Sequence, residues 1–97
     1  MGGKMDRSGR TKVPIHDILG GLEMLKERLQ FKLDKYGYGT FASRHEIMGV
    51  LMEEVVKVQA TVHESHGEND PMPNELLNVA VAAIFGCICM KNGHTDW

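Results

Sequence analysis

The sequence predicts an all-α fold in which three helices form an antiparallel bundle that further copies of the chain complete. Apolar residues recur at helical spacing in two segments, residues 15–35 and 43–66, and a third segment, residues 79–90, is apolar or small throughout. No segment shows the alternation of apolar and polar residues that is typical of a strand. At 97 residues the chain is long enough for one domain, which we assign to residues 13–97, after a basic arm at residues 1–12.

The first helix is predicted from about Ile15 to Lys35. Pro14 suits the position just before or within a first helical turn, and Gly37 and Gly39 favour a loop after the last one. Polar residues fall largely on one side of this helix, and the other side is apolar: Ile18, Leu19, Leu22, Leu25, Leu29 and Leu33.

The second helix is predicted from Ser43 to His66. Ser43 and Glu46 have the spacing of a capping box, in which each side chain satisfies a backbone donor at the helix start. Its apolar stripe contains Ile47, Val50, Leu51, Val55, Val58 and Val62. Glu53, Glu54 and Lys57 interrupt this apolar helix, and their spacing also fits a solvated face on which Lys57 pairs with one of the two glutamates.

The third helix is predicted from Asn74 or Glu75 to Lys91, and Asn92-Gly93 ends it. Its run of twelve apolar or small residues is shorter than the ~20 that a membrane span needs, so we expect no membrane partner. A helix that is apolar on all sides must be buried on all sides. Since only two other helices are available, the sequence predicts that this helix is buried against another subunit of a homo-oligomer.

Charge and cysteine content limit the possible partners and the compartment. The net charge is −2, of which the arm carries +3, and its four basic residues are too few to predict nucleic-acid binding. Cys87 and Cys89 point to different faces of a helix, so we expect two reduced core residues rather than a disulfide. The arm lacks the apolar segment of a secretory signal, and together these features predict a cytoplasmic protein.

Two short polar patterns indicate where chemistry can occur. Glu54 and Lys57 lie three residues apart on the second helix, and Glu75 and Asn78 lie three residues apart on the third. Residues at this spacing share a helix face. Two such pairs on facing helices can direct four polar side chains into one cavity, as in the carboxylate metal sites of helical bundles.

These patterns resemble a known family. The segment HEIMGVLMEEVVK, a connector and then NELLNVAVAAIFG are similar to the MazG-like, all-α nucleoside triphosphate pyrophosphohydrolases, which carry EExxE on one helix and ExxD at the start of the next. Glu27-Arg28 and Lys35-Tyr36-Gly37 also resemble the end of that family's first helix. The resemblance runs from about Leu25 to Met90, and the family forms helical dimers or tetramers.

The resemblance implies a reaction and a set of site residues. In this family the acids hold Mg²⁺, which binds the triphosphate and activates water, and the products are a nucleoside monophosphate and pyrophosphate. Glu54, Glu75 and Asn78 would hold the metal, and Glu53, Glu54 and Lys57 would serve catalysis. The expected substrate contacts are Lys35, Tyr36 and Lys57, although aromatic residues that follow a helix also commonly cover the end of a core.

The chain departs from the family pattern at two positions. Lys57 stands where the third acid of EExxE is expected, and Asn78 stands where the Asp of ExxD is expected. Four acids would carry −4, whereas Glu54, Lys57, Glu75 and Asn78 together carry −1. Two hypotheses follow: a divergent Mg²⁺-dependent pyrophosphohydrolase in which Lys57 contacts phosphate, or a non-catalytic member of the fold that binds a nucleotide or a protein. In the second, a buried ion pair of Lys57 with Glu54 or Glu75 replaces the metal.

Overall fold

The computed structural model describes residues 9–64 and 67–95, and it confirms the prediction of an all-α chain with three helices. Helix α1 is Ile15–Tyr36, α2 is Arg44–Thr61 and α3 is Met72–Lys91. These described residues contain no β-strand. Most of the basic arm, residues 1–8, lies outside them.

Helix α1 has the predicted bounds to within one residue. It begins directly after Pro14 and ends at Tyr36, and the next residue, Gly37, has a φ of 94° that is readily accessible only to glycine. The Gly37 N–H donates to the Leu33 carbonyl at 2.8 Å, which closes the last turn. The loop predicted from Gly37 and Gly39 is therefore confirmed.

Helix α2 begins as predicted but ends earlier. Ser43 Oγ accepts a hydrogen bond from the Glu46 N–H at 3.2 Å, and Glu46 Oε1 accepts one from the Ala42 N–H at 2.7 Å. Both side chains therefore cap the helix as expected, except that Glu46 accepts from the N–H of Ala42, one residue before the N-cap Ser43. The prediction that this helix continues to His66 is wrong: after Thr61 the i→i−4 bonds give way to i→i−3 turns, in which the Val62 N–H donates to the Gln59 carbonyl and the Glu64 N–H to the Thr61 carbonyl.

Helix α3 begins at Met72, two to three residues before its predicted start. The Asp70 carboxylate accepts the Met72 N–H at 3.0 Å, and Pro73 follows at a position where its missing N–H costs nothing. At the other end Gly93 has a φ of 69°, and the His94 N–H donates to the Cys89 carbonyl at 2.8 Å. This is the glycine stop that the sequence predicts.

Helix α3 is the centre of the packing. It contacts both other helices, whereas α1 and α2 do not pack against each other. Near the start of α2, Ile47 approaches α3 so closely at Gly86 that a Cβ there would lie 2.9 Å from Ile47 Cγ2. Phe41 and Phe85 meet edge to face beside this contact, with ring centroids 5.3 Å apart.

The burial of α3 within one chain is confined to one face. Val81, Ala82, Gly86 and Cys89 are buried, and Cys89 is only 1% exposed. Ile84, Cys87 and Ile88, on the opposite face, are exposed. The prediction that both cysteines are core residues is therefore correct for Cys89 and wrong for Cys87 within one chain.

Helix α1 extends beyond the body that α3 can cover. Leu25, Leu29 and Leu33 are half-buried, but Ile18, Leu19 and Leu22 are exposed. The radius of gyration is 16.3 Å, compared with about 12.5 Å for a compact domain of this length. The N-terminal half of the predicted apolar face therefore has no covering partner among the described residues of the chain.

One helix in the described part of the chain, α3, is long and apolar enough to cross a membrane by length and composition alone, with a mean hydropathy of 1.5. The sequence estimate counted only its twelve uninterrupted apolar or small residues, whereas the whole helix is longer. Core helices of soluble proteins pass the same test, so the expected absence of a membrane partner stays a prediction.

Candidate functional site

A cavity of about 440 Å³ lies at the junction of the three helices, next to the loop that follows α1. Apolar side chains from all three helices form part of its wall. The rest of the wall carries one carboxylate, one amide, two ammonium groups and three aromatic rings: Glu54, Asn78, Lys32, Lys57, Tyr36, Phe41 and Phe85. This combination of apolar surface with a few convergent polar groups is typical of a small-molecule site.

The cavity brings together four of the seven predicted site residues: Tyr36, Glu54, Lys57 and Asn78. The other three, Glu53, Lys35 and Glu75, are not part of its wall. Adjacent helical residues point about 100° apart around the axis. Since Glu54 lines the cavity, its neighbour Glu53 points away from it and is exposed. Lys35 lies instead over the rings of Phe31 and Tyr36, at 5.8 and 5.3 Å from their centroids.

Glu54 and Glu75 each have a buried carboxylate oxygen without a hydrogen-bond partner. The Glu54 side chain is 16% exposed, its Oε1 faces Lys57, and its Oε2 is one of these two atoms. The second is Oε2 of Glu75, on α3. A buried acceptor that lacks a donor loses the hydrogen bonds it had in water, so both oxygens would gain from a bound cation.

Lys57 forms the ion pair that its spacing predicts. Its Nζ lies 3.4 Å from Glu54 Oε1, and its side chain is 57% exposed. The hypothesis of a buried pair is wrong in this respect, since solvent reaches the lysine freely. An exposed pair at this distance contributes little to stability, and its ammonium remains available to other anions.

Arg28 is a member of the site region that the sequence analysis did not assign a role. Its Nη1 donates to Asn78 Oδ1 at 2.9 Å and its Nη2 donates to Asn74 Oδ1 at 3.2 Å, which fastens α1 to the start of α3. The Asn78 oxygen that was predicted to face a metal thus already accepts a hydrogen bond from a cation.

Lys32, in the cavity wall, was also missed. Arg28, Lys32 and Tyr36 are spaced four residues apart on α1, which places them along one side of the helix. That spacing was a signal for a polar edge beside the apolar stripe, and it would have directed attention to Lys32 rather than Lys35.

Among the described residues, no group of three or more His, Cys, Asp or Glu side chains is arranged to hold a metal ion. Glu54, in the cavity wall, and Glu75, outside it, are the two described carboxylates that have a buried, unpartnered oxygen to offer a divalent cation. Such a cation would need further oxygen ligands from water or from a substrate.

Comparison of this chain with protein-family models, with curated proteins and with solved structures found no match.

Proposed function

We propose that this chain is a MazG-like nucleotide pyrophosphohydrolase, a cytoplasmic homo-oligomer that hydrolyses a nucleoside triphosphate to the monophosphate and pyrophosphate with Mg²⁺. The observation that carries the proposal is the pair of unsatisfied, buried carboxylate oxygens, one on Glu54 and one on Glu75. They lie on the two helices whose EE and ExxN segments resemble that family's metal-binding acids.

An antiparallel packing of α2 and α3 supports a common site for these two acids. Ile47 approaches Gly86, and seven residues further along α2 is Glu54, whereas seven residues back along α3 is Val79. Glu75 is four residues, or about one turn, before Val79. With the two helices antiparallel, this register would bring the two carboxylates to neighbouring levels of the helix pair.

Two carboxylates are sufficient for a substrate-dependent Mg²⁺ site. Mg²⁺ usually keeps several waters and is held by one or two carboxylates together with substrate phosphates. Glu54 and Glu75 fit this role, whereas Asn78 fits it less well because its Oδ1 accepts from Arg28. When bound, Mg²⁺ supplies charge for the phosphates and lowers the pKa of a water molecule.

The other residues of the cavity suit the rest of a nucleotide. Lys32 and Lys57 carry positive charge at the wall, and Tyr36, Phe41 and Phe85 offer ring surface for a base. Lys35 lies outside the wall, so we assign the substrate contact on α1 to Lys32 and Tyr36. Glu53 is exposed and has no direct role in this proposal.

A second candidate function is a non-catalytic nucleotide-binding protein of the same fold. It is favoured by the two positions at which acids are replaced, since each already has a partner without a metal. Lys57 pairs with Glu54, and Asn78 accepts from Arg28. In this case the cavity binds the nucleotide and no bond is broken.

Calorimetry and a pyrophosphate-release assay distinguish the two functions. For the wild type we expect weak binding of Mn²⁺ or Mg²⁺ alone, tighter binding when a nucleoside triphosphate is present, and release of pyrophosphate from at least one of the common triphosphates. The wild type is compared with the double variant Lys57→Glu, Asn78→Asp, which restores two acids and should bind the metal without nucleotide. If only the double variant binds metal and the wild type releases no pyrophosphate, the chain is the non-catalytic protein.

Homo-oligomerisation is supported by apolar surface that one chain leaves uncovered. Ile18, Leu19 and Leu22 on α1 and Ile84 and Ile88 on α3 are exposed, and apolar faces of this kind mark protein–protein contacts.

Light scattering after size exclusion tests this proposal with one charged substitution. We expect a wild-type mass of two or four chains, and a shift towards the monomer for Leu22→Lys because a charge at the centre of an apolar contact must be desolvated. Glu23→Lys, on the polar side of the same helix, is the control and should keep the wild-type mass. A wild-type monomer at micromolar concentration would contradict the proposal.

A further inference from the structure

Two lysines on different helices face the same cavity. Lys32 lines it from α1 and Lys57 from α2, and Glu54 is the one carboxylate among the described residues of the wall. The charged side chains of these described wall residues sum to +1. An apolar ligand would leave both ammonium groups without a counter-charge. A metal ion bound alone would be repelled by both of them.

Neither ammonium group is strongly held by the protein. Lys57 makes one contact with Glu54 at 3.4 Å, so two of its three donor hydrogens can reach another acceptor. Lys32 lies 5.5 Å from the centroid of the Tyr36 ring, and no carboxylate pairs with it among residues 9–64 and 67–95. Both lysines can therefore turn to an anion without breaking a strong interaction.

The surroundings strengthen their attraction for an anion. Val50, Phe41, Phe85 and Leu33 form part of the same wall, and this apolar surface reduces screening by water on the side of the cavity that it covers, while solvent still reaches Lys57. A phosphate chain has several negative oxygens in a row, which two ammonium groups from different helices can contact together.

We propose that Lys32 and Lys57 form a phosphate-chain subsite that binds pyrophosphate, and the diphosphate part of a nucleotide, without a divalent metal. The inference rests on the proposed function in that it places the nucleotide in this cavity. Lys57, which stands where the family pattern has an acid, then supplies part of the positive charge that a metal would provide to the phosphates. Mg²⁺ on Glu54 and Glu75 would be needed for hydrolysis of the nucleotide but not for binding of its phosphate chain.

Titration with inorganic pyrophosphate in excess EDTA tests this subsite on the full chain. We expect saturable binding to the wild type that weakens as salt is added, and about tenfold weaker binding for each of Lys32→Met and Lys57→Met. Lys57→Arg keeps the charge and should stay near the wild-type affinity. Lys26→Met, an exposed lysine of α1 outside the cavity, is the control and should bind as the wild type does.

The outcomes separate this inference from the proposed function. Pyrophosphate binding in EDTA that both methionine variants weaken supports the subsite, even if no triphosphate is hydrolysed. If pyrophosphate binds only after Mg²⁺ is added, or if both methionine variants bind it as tightly as Lys26→Met, the subsite is wrong, whether or not hydrolysis occurs. Circular dichroism of each variant identifies any loss of affinity that comes from unfolding.

Discussion

Replacing either Glu54 or Glu75 by glutamine is expected to reduce pyrophosphate release by about 100-fold or more, since ligand and near-ligand changes at metal sites have effects of at least this order. Glutamine keeps the shape of the side chain but removes the negative charge that would hold Mg²⁺. The measurement is kcat/KM for pyrophosphate release at saturating Mg²⁺, with the triphosphate that the wild type hydrolyses best.

The same substitutions should leave the fold intact. Glu54 and Glu75 each bury a carboxylate oxygen without a partner, and the one ion pair that Glu54 makes, with the exposed Lys57, is worth little. Replacing either carboxylate by a neutral amide is therefore expected to change the free energy of unfolding by about 1 kcal/mol or less. Lost activity combined with nearly unchanged stability is the pattern of a functional site rather than a structural one. Urea unfolding of each variant provides this second measurement.

Glu53→Gln is the matched control for both measurements. Glu53 is adjacent to Glu54 in sequence, but it is exposed and lies outside the cavity wall. We expect the activity of Glu53→Gln to stay within about twofold of the wild type, because water and salt screen the electrostatic effect of an exposed charge. If Glu53→Gln loses as much activity as Glu54→Gln, the assignment of Glu54 rather than Glu53 to the metal is wrong.

The local chemistry of the chain was sufficient to predict the helices and most of their ends. Gly37 and Gly93 end α1 and α3 by taking positive φ values, and Ser43 starts α2 through its side chain. The end of α2 was missed because the apolar pattern extends to Val62, whereas the backbone changes to i→i−3 turns after Thr61. The Thr61 hydroxyl also bonds back to the Val58 carbonyl, an orientation that is compatible with a helix or with its end. The sequence does not distinguish these two outcomes.

The site was predictable only where both helices carry a recognisable pattern. Glu54, Lys57 and Asn78 reach one cavity because three-residue spacing fixes a face on each helix. Arg28 and Lys32 were missed because the apolar face of α1 extends from Ile18 to Leu33, and only tertiary packing decides which part of it α3 covers. Lys35 was chosen by resemblance, whereas the actual orientation of α1 directs Lys32 into the cavity.

Gly86→Ala is expected to destabilise the chain by about 1–2 kcal/mol, the cost of overpacking a close helix contact. Alanine normally stabilises a helix relative to glycine by about 1 kcal/mol, so the expected sign is the reverse of the usual one. The reason is that a Cβ at residue 86 would lie 2.9 Å from Ile47 Cγ2. This methyl is bonded directly to the Ile47 Cβ, and it can move away only if the side chain changes rotamer or the two helices separate.

Two further variants make this prediction specific. Gly49→Ala, within α2, meets no atom within 4 Å, and it should raise the free energy of unfolding by about 0.5–1 kcal/mol through helix propensity alone. Combining Gly86→Ala with Ile47→Ala should cost less than the two single changes together, because the new methyl fills the space that Ile47 leaves. Additive effects in urea unfolding would mean that Gly86 and Ile47 do not set the distance between the helices.

The contact between Gly86 and Ile47 also connects the fold to the proposed chemistry. It lies seven residues, or about two helical turns, from Glu54 on α2 and from Val79 on α3. If Glu54 and Glu75 form one site, as we propose, a wider separation of α2 and α3 at Gly86 would move the two carboxylates apart. We therefore expect Gly86→Ala to reduce pyrophosphate release even at temperatures where the variant is fully folded, and Gly86→Ala with Ile47→Ala to recover part of it. Full activity of a folded Gly86→Ala variant would show that the two carboxylates do not act as one site.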